Sequence, residues 1–411
     1  MKKLLSTSAI FLMIALCSTS CKKNMDQVSD NQEMNKTSSG LAGKTATYTT
    51  AEIQDLVTKL ATKMDNKCVG YSFVVSYKGD FITSKSGGFS RTIKDMPFKS
   101  FSMTDKYSIA SVSKTISAAA LIKILNVFPG GINANLDMPM WTSLPSHWVM
   151  GPGIKTITYR QLLNHTSGLR YDVNPFNPQN GDDYTTLKNL MAQGIMMFNK
   201  YYSYNNRNFA LMRFLIPKLA GYPVQAIPVG LSGQVLTILE NAQGAQAAED
   251  YKNYCRLNIF TKLGTTINQN IDCKMTDPNP SLCYTFPYSF TPGSLAGKDL
   301  TLTCGAQGWV LSTVQVSDFF TRLQYSNTII PSTLGDLMKS NLLGYDRSGT
   351  LSDGTTFYWK NGIYDFTWNG VASSYRSLII GFSDDIQITI MANSNMNLQD
   401  AATAAHQLWH P

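Results

Sequence analysis

The chain has 411 residues, of which 43% are hydrophobic and 15% are charged, and this composition is that of a globular protein with a sizeable core. The formal net charge is +8, but the basic residues are scattered and no run exceeds a pair, which excludes a nucleic-acid-binding patch. No C-x-x-C motif occurs, and the four histidines show no metal-ligand spacing, so we expect no metal and no other cofactor.

The first 21 residues have the pattern of a secretion signal, with two early lysines followed by a short apolar stretch. Ser18-Thr-Ser-Cys21 resembles the lipobox of bacterial lipoproteins, although leucine is usual at the position of Ser18. We therefore expect Cys21 to carry a lipid that anchors the protein to a membrane, facing the periplasm or the cell surface. Cleavage nearby to give a soluble secreted protein is the alternative. The polar composition of residues 22–48 predicts a flexible tether.

The rest of the chain, residues 49–411, has strand patterns near both ends and helical patterns in the middle. Strands are predicted at 70–77, 81–84, 356–361, 374–382 and 386–392. Helices are predicted at 49–64, 158–165, 208–220, 247–260, 316–324, 331–340 and 399–409. The predicted fold class is α/β (α+β). One antiparallel sheet is built from residues 49–125 and 300–411 and flanked by helices, and a mainly helical lobe, residues 126–299, is inserted.

Five cysteines follow the signal segment, and an extracytoplasmic location permits disulfides between them. The number is odd, so at least one thiol has no partner within the chain. Cys273 and Cys283 enclose a short polar segment and form the best candidate pair, but the sequence leaves the pairing open among Cys68, Cys255, Cys273, Cys283 and Cys304.

Ser111 and Lys114 lie three residues apart at the start of a predicted helix, so both side chains fall on one face. Free backbone N–H groups at a helix start favour negative charge. A serine beside an amine whose pKa is lowered by burial or by positive charge is a plausible nucleophile. S-x-x-K also arises by chance, because serine caps helices and lysine lies on solvated faces.

Tyr204-x-Asn206 immediately precedes another predicted helix. A phenol beside a lysine ammonium ionises more easily and can relay a proton to a leaving group. Asn206 would then hydrogen-bond the lysine or a substrate amide. Taken alone, both residue types are ordinary in turns.

The third motif, Lys360-Asn361-Gly362, is followed by Ile363 and lies on a predicted strand. The edge of such a strand can pair with an extended substrate, and its backbone N–H can contribute to an oxyanion hole. Lys360 would add positive charge for a substrate carboxylate. An exposed strand lysine before a turn glycine explains the same residues equally well.

In this order the three motifs resemble those of the serine β-lactamase and penicillin-binding-protein superfamily. The branch is that of class C β-lactamases, D-Ala-D-Ala carboxypeptidases and related esterases. Residues 157–169 are very similar to its I-T-I-R-x-L-L-x-H-T-S-G-L segment, and residues 308–318 resemble its G-G-x-x-S-T-x-x-D-L segment. The resemblance covers about residues 50–410.

The resemblance implies an extracytoplasmic serine hydrolase that acts through an acyl-Ser111 intermediate on a peptide, ester or β-lactam-like acyl donor. Lys114 and Tyr204 would shuttle protons, and the N–H groups of Ser111 and Ile363 would hold the oxyanion. His165 falls in a segment that is structural in the family. The implied substrate-binding residues are Asn206, Lys360, Asn361, Gly362 and Ile363.

Two departures from the family pattern lie in the third motif. Asn361 stands where a hydroxyl residue often binds a substrate carboxylate, and Ile363 is bulkier than the usual small residue. We therefore expect a D-amino-acid peptide or an ester, rather than a β-lactam, as the physiological substrate. The alternative is a catalytically weak or inactive binding lipoprotein of the same fold. The sequence does not indicate the oligomeric state.

Overall fold

The computed structural model describes residues 47–169, 183–195, 200–228, 230–264, 271–295, 297–368 and 370–410. The predicted signal segment, the lipidation candidate Cys21 and most of the predicted tether lie outside these described residues. No helix among the described residues combines the length and apolar character that crossing a bilayer requires.

The strands come from both ends of the described chain. They are β1 Gly70–Tyr77, β2 Asp80–Arg91, β3 Lys99–Ser100, β4 Lys106–Ser108, β5 Val310–Ser312, β6 Arg347–Thr350, β7 Thr356–Trp368, β8 Val371–Phe382 and β9 Ile386–Ala392. Seven of them form one antiparallel sheet in the order β3-β2-β1-β9-β8-β7-β6, and β4 pairs with β5 separately. Because β1 pairs with β9, the two ends of the chain meet in the middle of the sheet. The predicted antiparallel sheet is therefore confirmed.

Helices flank the sheet and fill the interval between β4 and β5. They are α1 Thr50–Met64, α2 Ser113–Leu125, α3 Ile132–Leu136, α4 Tyr159–Leu163, α5 Tyr184–Gln193, α6 Arg207–Ala210, α7 Met212–Leu219, α8 Gly233–Asn258, α9 Thr313–Tyr325, α10 Ser332–Ser340 and α11 Leu398–Trp409. Helices α1 and α11 pack on one face of the sheet, and α9 packs on β1, β8 and β9.

Helix α2 is buried on almost every side, and Lys123 is the exception. The sequence predicts only an apolar stripe at 118, 121, 122 and 125, but the side chains between these positions are small and are enclosed as well. A run of Ser, Thr and Ala allows the surrounding helices to approach α2 closely. The residues that precede α2 are therefore held in fixed positions by the core.

Strand β7 is paired along only part of its outer edge. Its neighbour β6 pairs with Thr356–Trp359, and the next backbone bond runs from Asp346 N–H to the Trp359 carbonyl at 2.8 Å. Beyond Trp359, β7 passes the 3-10 turn Ala110–Val112 that leads into α2. This arrangement places the third sequence motif beside the first.

One helix and one hairpin are longer than the sequence predicts. Helix α8 begins at Gly233 rather than near 247, and the hairpin of β7 and β8 extends beyond the strands predicted at 356–361 and 374–382. Gly244 obscures the helical pattern of α8, but it has a packing role there. A Cβ at Gly244 would lie only 3.0 Å from the ring of Tyr184 on α5.

The five cysteines of the described chain are all buried, and the candidate pair Cys273 and Cys283 forms no disulfide. Burial raises the pKa of the Cys68 thiol to about 12, so this residue behaves as a core side chain rather than as a reactive thiol.

Candidate active site

Ser111 lies in the middle of the 3-10 turn Ala110–Val112, between β4 and α2. The preceding residue, Ala110, has a φ of 44°, in the left-handed region that residues with a Cβ rarely adopt. Such strained backbone is found mainly where the surrounding structure imposes it, often at functional sites. Ser111 keeps 8% of its surface exposed, whereas Ala110 and Val112 on either side are fully buried.

Lys114, one turn along, is fully buried beneath Ser111. Its Nζ donates to Ser111 Oγ at 2.9 Å, to Asn206 Oδ1 at 2.8 Å and to the Ala306 carbonyl at 2.8 Å. An ammonium group has three donors, and each is matched here by an acceptor. An ammonium at Lys114 would thus have each of its N–H groups bonded to an acceptor.

Tyr204 also contacts the nucleophile candidate. Its hydroxyl donates to Ser111 Oγ at 2.7 Å, and its ring centroid lies 5.1 Å from Lys114 Nζ and 4.9 Å from Lys360 Nζ. Burial raises the pKa of the Tyr204 phenol, but the two ammonium groups outweigh it, so that the pKa lies below its usual value. Tyr204 is thus the group at this site whose proton is unusually easy to remove.

His165 lies behind Tyr204 and is buried, with its ring centroid 4.5 Å from the Tyr204 ring. Its Nδ1 accepts from Asn205 N–H at 3.2 Å and lies 3.0 Å from Asn208 Nδ2. Burial and the charges of Lys114 and Lys360 hold the pKa of His165 well below its usual range. A neutral His165 therefore fastens the loop that carries Tyr204 and does not contact Ser111 itself.

Lys360 is brought to the site as the sequence predicts, but its charge is not free. Its ammonium forms a buried ion pair with the Asp346 carboxylate. Burial lowers the pKa of Lys360, and the Asp346 carboxylate more than offsets this, so the pKa lies above its usual value. No sequence pattern points to Asp346, because only the strand pairing brings it beside Lys360.

The remaining residues of the third motif divide between the two faces of β7. Lys360 and Gly362 lie on the face nearest Ser111, whereas the side chains of Asn361 and Ile363 point to the other face. Gly362 is in close contact with the 3-10 turn, while Ile363 is 54% exposed. The structure therefore brings together Ser111, Lys114, Tyr204, Asn206 and Lys360, with Gly362 alongside.

Among the described residues, one group of potential metal ligands converges, formed by Asp384, His406 and His410. Sequence spacing does not reveal it, because Asp384 is distant from both histidines in the chain. His406 Nε2 lies 2.8 Å from Asp384 Oδ2, and the Tyr48 hydroxyl donates to that same oxygen at 3.0 Å. Tyr48 also lies 3.0 Å from His410 Nε2. Tyr48, His406 and His410 thus gather around the Asp384 carboxylate and fasten α11 to the residues before α1, although His406 Nδ1 has no hydrogen-bond partner among the described residues.

A cavity of about 260 Å³ lies between α7, α8 and residues 142–147. Phe214, Gln243 and Asp250 are among the residues that line it, and none of the convergent residues around Ser111 does. The cavity and the Ser111 cluster are therefore separate features of the fold.

The chain is similar to proteins of known families. The family model described as Beta-lactamase matches residues 53–227, which include Ser111, Lys114, Tyr204 and Asn206. The protein PbpX of Bacillus subtilis (strain 168), provisionally named a penicillin-binding protein, is 27% identical over 164 residues. That match covers 39% of this chain and 38% of PbpX.

Two solved structures have the same fold. A β-lactamase/D-alanine carboxypeptidase from Yersinia pestis, complexed with citrate, has a TM-score of 0.61 and 14% identity, with 88% of this chain and 98% of that one covered. An octameric penicillin-binding protein homologue from Pyrococcus abyssi has a TM-score of 0.60 and 15% identity, with 87% and 76% covered. The resemblance to the serine β-lactamase and penicillin-binding-protein superfamily is confirmed. The superfamily match thus accounts for the fold and for the order of the first two motifs.

Asp346 and the Ala306 carbonyl are the site groups that the superfamily motifs do not point to in this chain. The Ala306 contact is made by backbone, so no side-chain pattern can predict it. Asp346 immediately precedes β6 and reaches Lys360 across the hairpin, a contact that depends on strand register.

Proposed function

We propose that the protein is an extracytoplasmic serine hydrolase that acts through an acyl-Ser111 intermediate. One observation carries the proposal: Ser111 Oγ lies within hydrogen-bonding distance of both Lys114 Nζ, at 2.9 Å, and the Tyr204 hydroxyl, at 2.7 Å. Acyl transfer requires a nucleophile that contacts a proton acceptor and a positively charged group. A protein that only binds its ligand needs neither.

In the first half of the reaction, Ser111 Oγ attacks the acyl carbon of the substrate. The Oγ–C bond forms, and the Ser111 proton passes to Tyr204, which must be in its phenolate form. We assign this role to Tyr204 rather than to Lys114, because the charges of Lys114 and Lys360 lower the pKa of Tyr204 and a Lys114 ammonium has all its N–H groups bonded. The same ammonium stabilises the phenolate.

Collapse of the tetrahedral intermediate breaks the bond between the acyl carbon and the leaving group. Tyr204 returns its proton to the departing oxygen or nitrogen, which leaves an acyl-Ser111 ester. In the second half, water attacks the carbon of this ester and Tyr204 takes a proton from the water. The Oγ–C bond then breaks, Tyr204 passes that proton to Ser111 Oγ, and the acid is released. Each cycle consumes one water molecule and restores the enzyme.

The oxyanion of both intermediates needs donors aimed at one point. We assign this role to the backbone N–H groups of Ser111 and Ile363. The close contact between Gly362 and the 3-10 turn supports the assignment, because it sets β7 directly beside the nucleophile. The stretch of β7 beyond Trp359 has no β6 residue paired to its outer edge, so an extended acyl donor can align there.

We also propose that Cys21 carries a lipid and that residues 22–48 tether the catalytic domain, residues 49–411, to the outside of a membrane. The sequence pattern of the first 21 residues supports this location. The substrate class that fits the site is a peptide, an ester or a β-lactam-like acyl donor.

The test is the intact mass of the chain from Lys22 onward after exposure to a fluorophosphonate and, separately, to benzylpenicillin. We expect a fluorophosphonate adduct on Ser111 that is absent from Ser111→Ala, whose thermal unfolding stays nearly unchanged. A penicilloyl adduct on Ser111 would show that the protein also recognises penicillin. A long-lived adduct would indicate slow deacylation, and a short-lived one would indicate β-lactam hydrolysis. Equal labelling of Ser111→Ala would reject the nucleophile. A wild-type protein that forms no adduct would favour the binding lipoprotein.

A further inference from the structure

The ion pair between Lys360 and Asp346 is built into the edge of the sheet. Lys360 is 1% exposed, and its ammonium contacts Asp346 Oδ1. The other carboxylate oxygen, Oδ2, accepts from Asn361 N–H at 2.8 Å, and the Asp346 N–H donates to the Trp359 carbonyl at 2.8 Å. Side chain and backbone therefore hold Asp346 in one position, and both of its carboxylate oxygens are occupied.

Only the side chain of Tyr204 separates the Lys360–Asp346 ion pair from Ser111. Lys360 Nζ lies 4.9 Å from the centroid of Tyr204, and the Tyr204 hydroxyl contacts Ser111 Oγ at 2.7 Å. A substrate group bound next to Lys360 is thus within the same subsite that positions the acyl carbon over Ser111.

A carboxylate placed on Lys360 would share its ammonium with Asp346. Two carboxylates on one ammonium repel each other, and the repulsion is strong where water is largely excluded. An uncharged group meets no such repulsion. The buried pair therefore disfavours the binding of substrates that carry a carboxylate at this position and does not disfavour neutral ones.

The surface that continues along β7 is also suited to uncharged groups. On the face shared with Lys360 and Gly362, the next side chains are those of Tyr364 and Phe366, whose rings pack at 5.5 Å. Asp365 lies on the opposite face, where its Oδ1 forms an ion pair with Arg376 Nη1 at 2.7 Å. Past Gly362, the described part of this face is aromatic.

We propose that Asp346 is a specificity-determining residue that restricts the subsite beside Ser111 to acyl donors without a carboxylate, namely neutral esters or amides. The proposal rests on the acyl-Ser111 mechanism. Asp346 acts through Lys360 and is a positioning residue rather than a catalytic one.

The test uses two thioesters that differ only at the end of the leaving group, which is a carboxylate in one and a methylamide in the other. For the wild type we expect kcat/KM to be at least tenfold higher for the methylamide. Asp346→Asn frees the Lys360 charge, and the ratio should fall at least tenfold. Asp353→Asn, in the turn between β6 and β7, makes the same change in net charge and should leave the ratio unchanged.

A second readout separates this role from a purely structural one. The Asp346 carboxylate raises the pKa of Tyr204, so removing it should move the acid limb of the kcat/KM profile for the methylamide to lower pH. The charged and titratable groups facing Tyr204 are Lys114, Lys360, Asp346, Tyr202 and the neutral His165, and Arg347 lies over Tyr202 at 5.7 Å. A loss of folding would lower the rate without moving the limb.

The outcomes distinguish this inference from the proposed function. If fluorophosphonate labels Ser111 but the wild type hydrolyses both thioesters equally, the Asp346 proposal fails and the hydrolase stands. A preference for the carboxylate that Arg347→Gln abolishes would also overturn it, because the exposed arginine would then be the determinant. A wild type with no fluorophosphonate adduct overturns both.

Discussion

Gly362 and Ile109 lie so close that no side chain fits between them. A Cβ at position 362 would come within 2.5 Å of the Ile109 carbonyl oxygen and 2.1 Å of Ser377 Oγ. Gly362→Ala must therefore push β7 away from the turn that holds Ser111. We expect the rate of fluorophosphonate labelling to fall at least tenfold, because placement errors near 1 Å cost about 100-fold in catalysis.

The matched control for this variant is Gly264→Ala. A Cβ there meets its nearest neighbours only at 3.8 Å, and no left-handed φ is required. Its labelling rate should equal that of the wild type. Unchanged labelling of Gly362→Ala would mean that the contact between β7 and the turn does not position the site.

Tyr204→Phe removes the hydroxyl that contacts Ser111 Oγ while keeping the ring between the two lysines. We expect the acylation rate to fall by about 10²–10⁴, the usual contribution of a general base. Stopped-flow hydrolysis of the neutral thioester measures it. Tyr201→Phe, at an exposed position in the same segment, is the control and should react at the wild-type rate. A Tyr204→Phe enzyme of normal activity would return the proton-acceptor role to Lys114.

In the double variant Asp346→Asn/Lys360→Met, the fall of kcat/KM on the acid side of its pH profile should occur at higher pH than in the wild type. Lys360 lowers the pKa of Tyr204 more than Asp346 raises it, so removing both charges raises that pKa. The phenolate is the active form, and activity is lost as pH falls through its pKa. Removing both partners of a buried ion pair is about neutral for stability. A limb that stays in place would show that Tyr204 is not the titrating group.

Local sequence signals predict where elements begin with considerable success. The capping box of Thr49 and Glu52 starts α1, and that of Thr158 and Gln161 starts α4. These signals work because a cap involves residues only three apart. The serine and lysine at the start of α2 are foreseeable for the same reason.

Contacts made across strands are not foreseeable in this way. Asp346 meets Lys360 only because the register pairs Arg347 with Trp359 and carries the preceding residue past the strand edge. One residue of slippage would turn Asp346 away. The predicted length of α8 is wrong for a similar reason. Gly244 packs against the ring of Tyr184, which belongs to another helix, and the local sequence does not show this contact.

Cys21→Ala should move the protein from the membrane fraction to the soluble fraction of the cells that export it. The reason is that the lipid on the cysteine would be the membrane attachment, since one or more acyl chains supply the binding energy. Immunoblotting of the two fractions measures this. Cys17→Ala, four residues earlier in the apolar stretch, is the control. A Cys21→Ala protein that stays with the membrane would reject the anchor.

His165 should make the stability of the fold depend on pH. His165→Leu leaves the buried Asn205 N–H and Asn208 Nδ2 without this acceptor. We expect the free energy of unfolding, measured in urea at pH 7, to fall by about 1–3 kcal/mol. His165→Asn retains an acceptor and tolerates the φ of 59° at this position, so it should lose less.

The sign of the pH effect follows from the lowered pKa of His165. The unfolded chain binds a proton at this residue near pH ~6.5, whereas the folded chain does so only at lower pH. Stability contributed by the neutral ring is therefore complete above that pH and is lost as pH falls, by up to about 1.4 kcal/mol per pH unit. His165→Asn has no such proton, so the difference in unfolding free energy between it and the wild type should narrow from pH 7 to pH 5. A constant difference would mean that folding leaves the pKa of His165 unchanged.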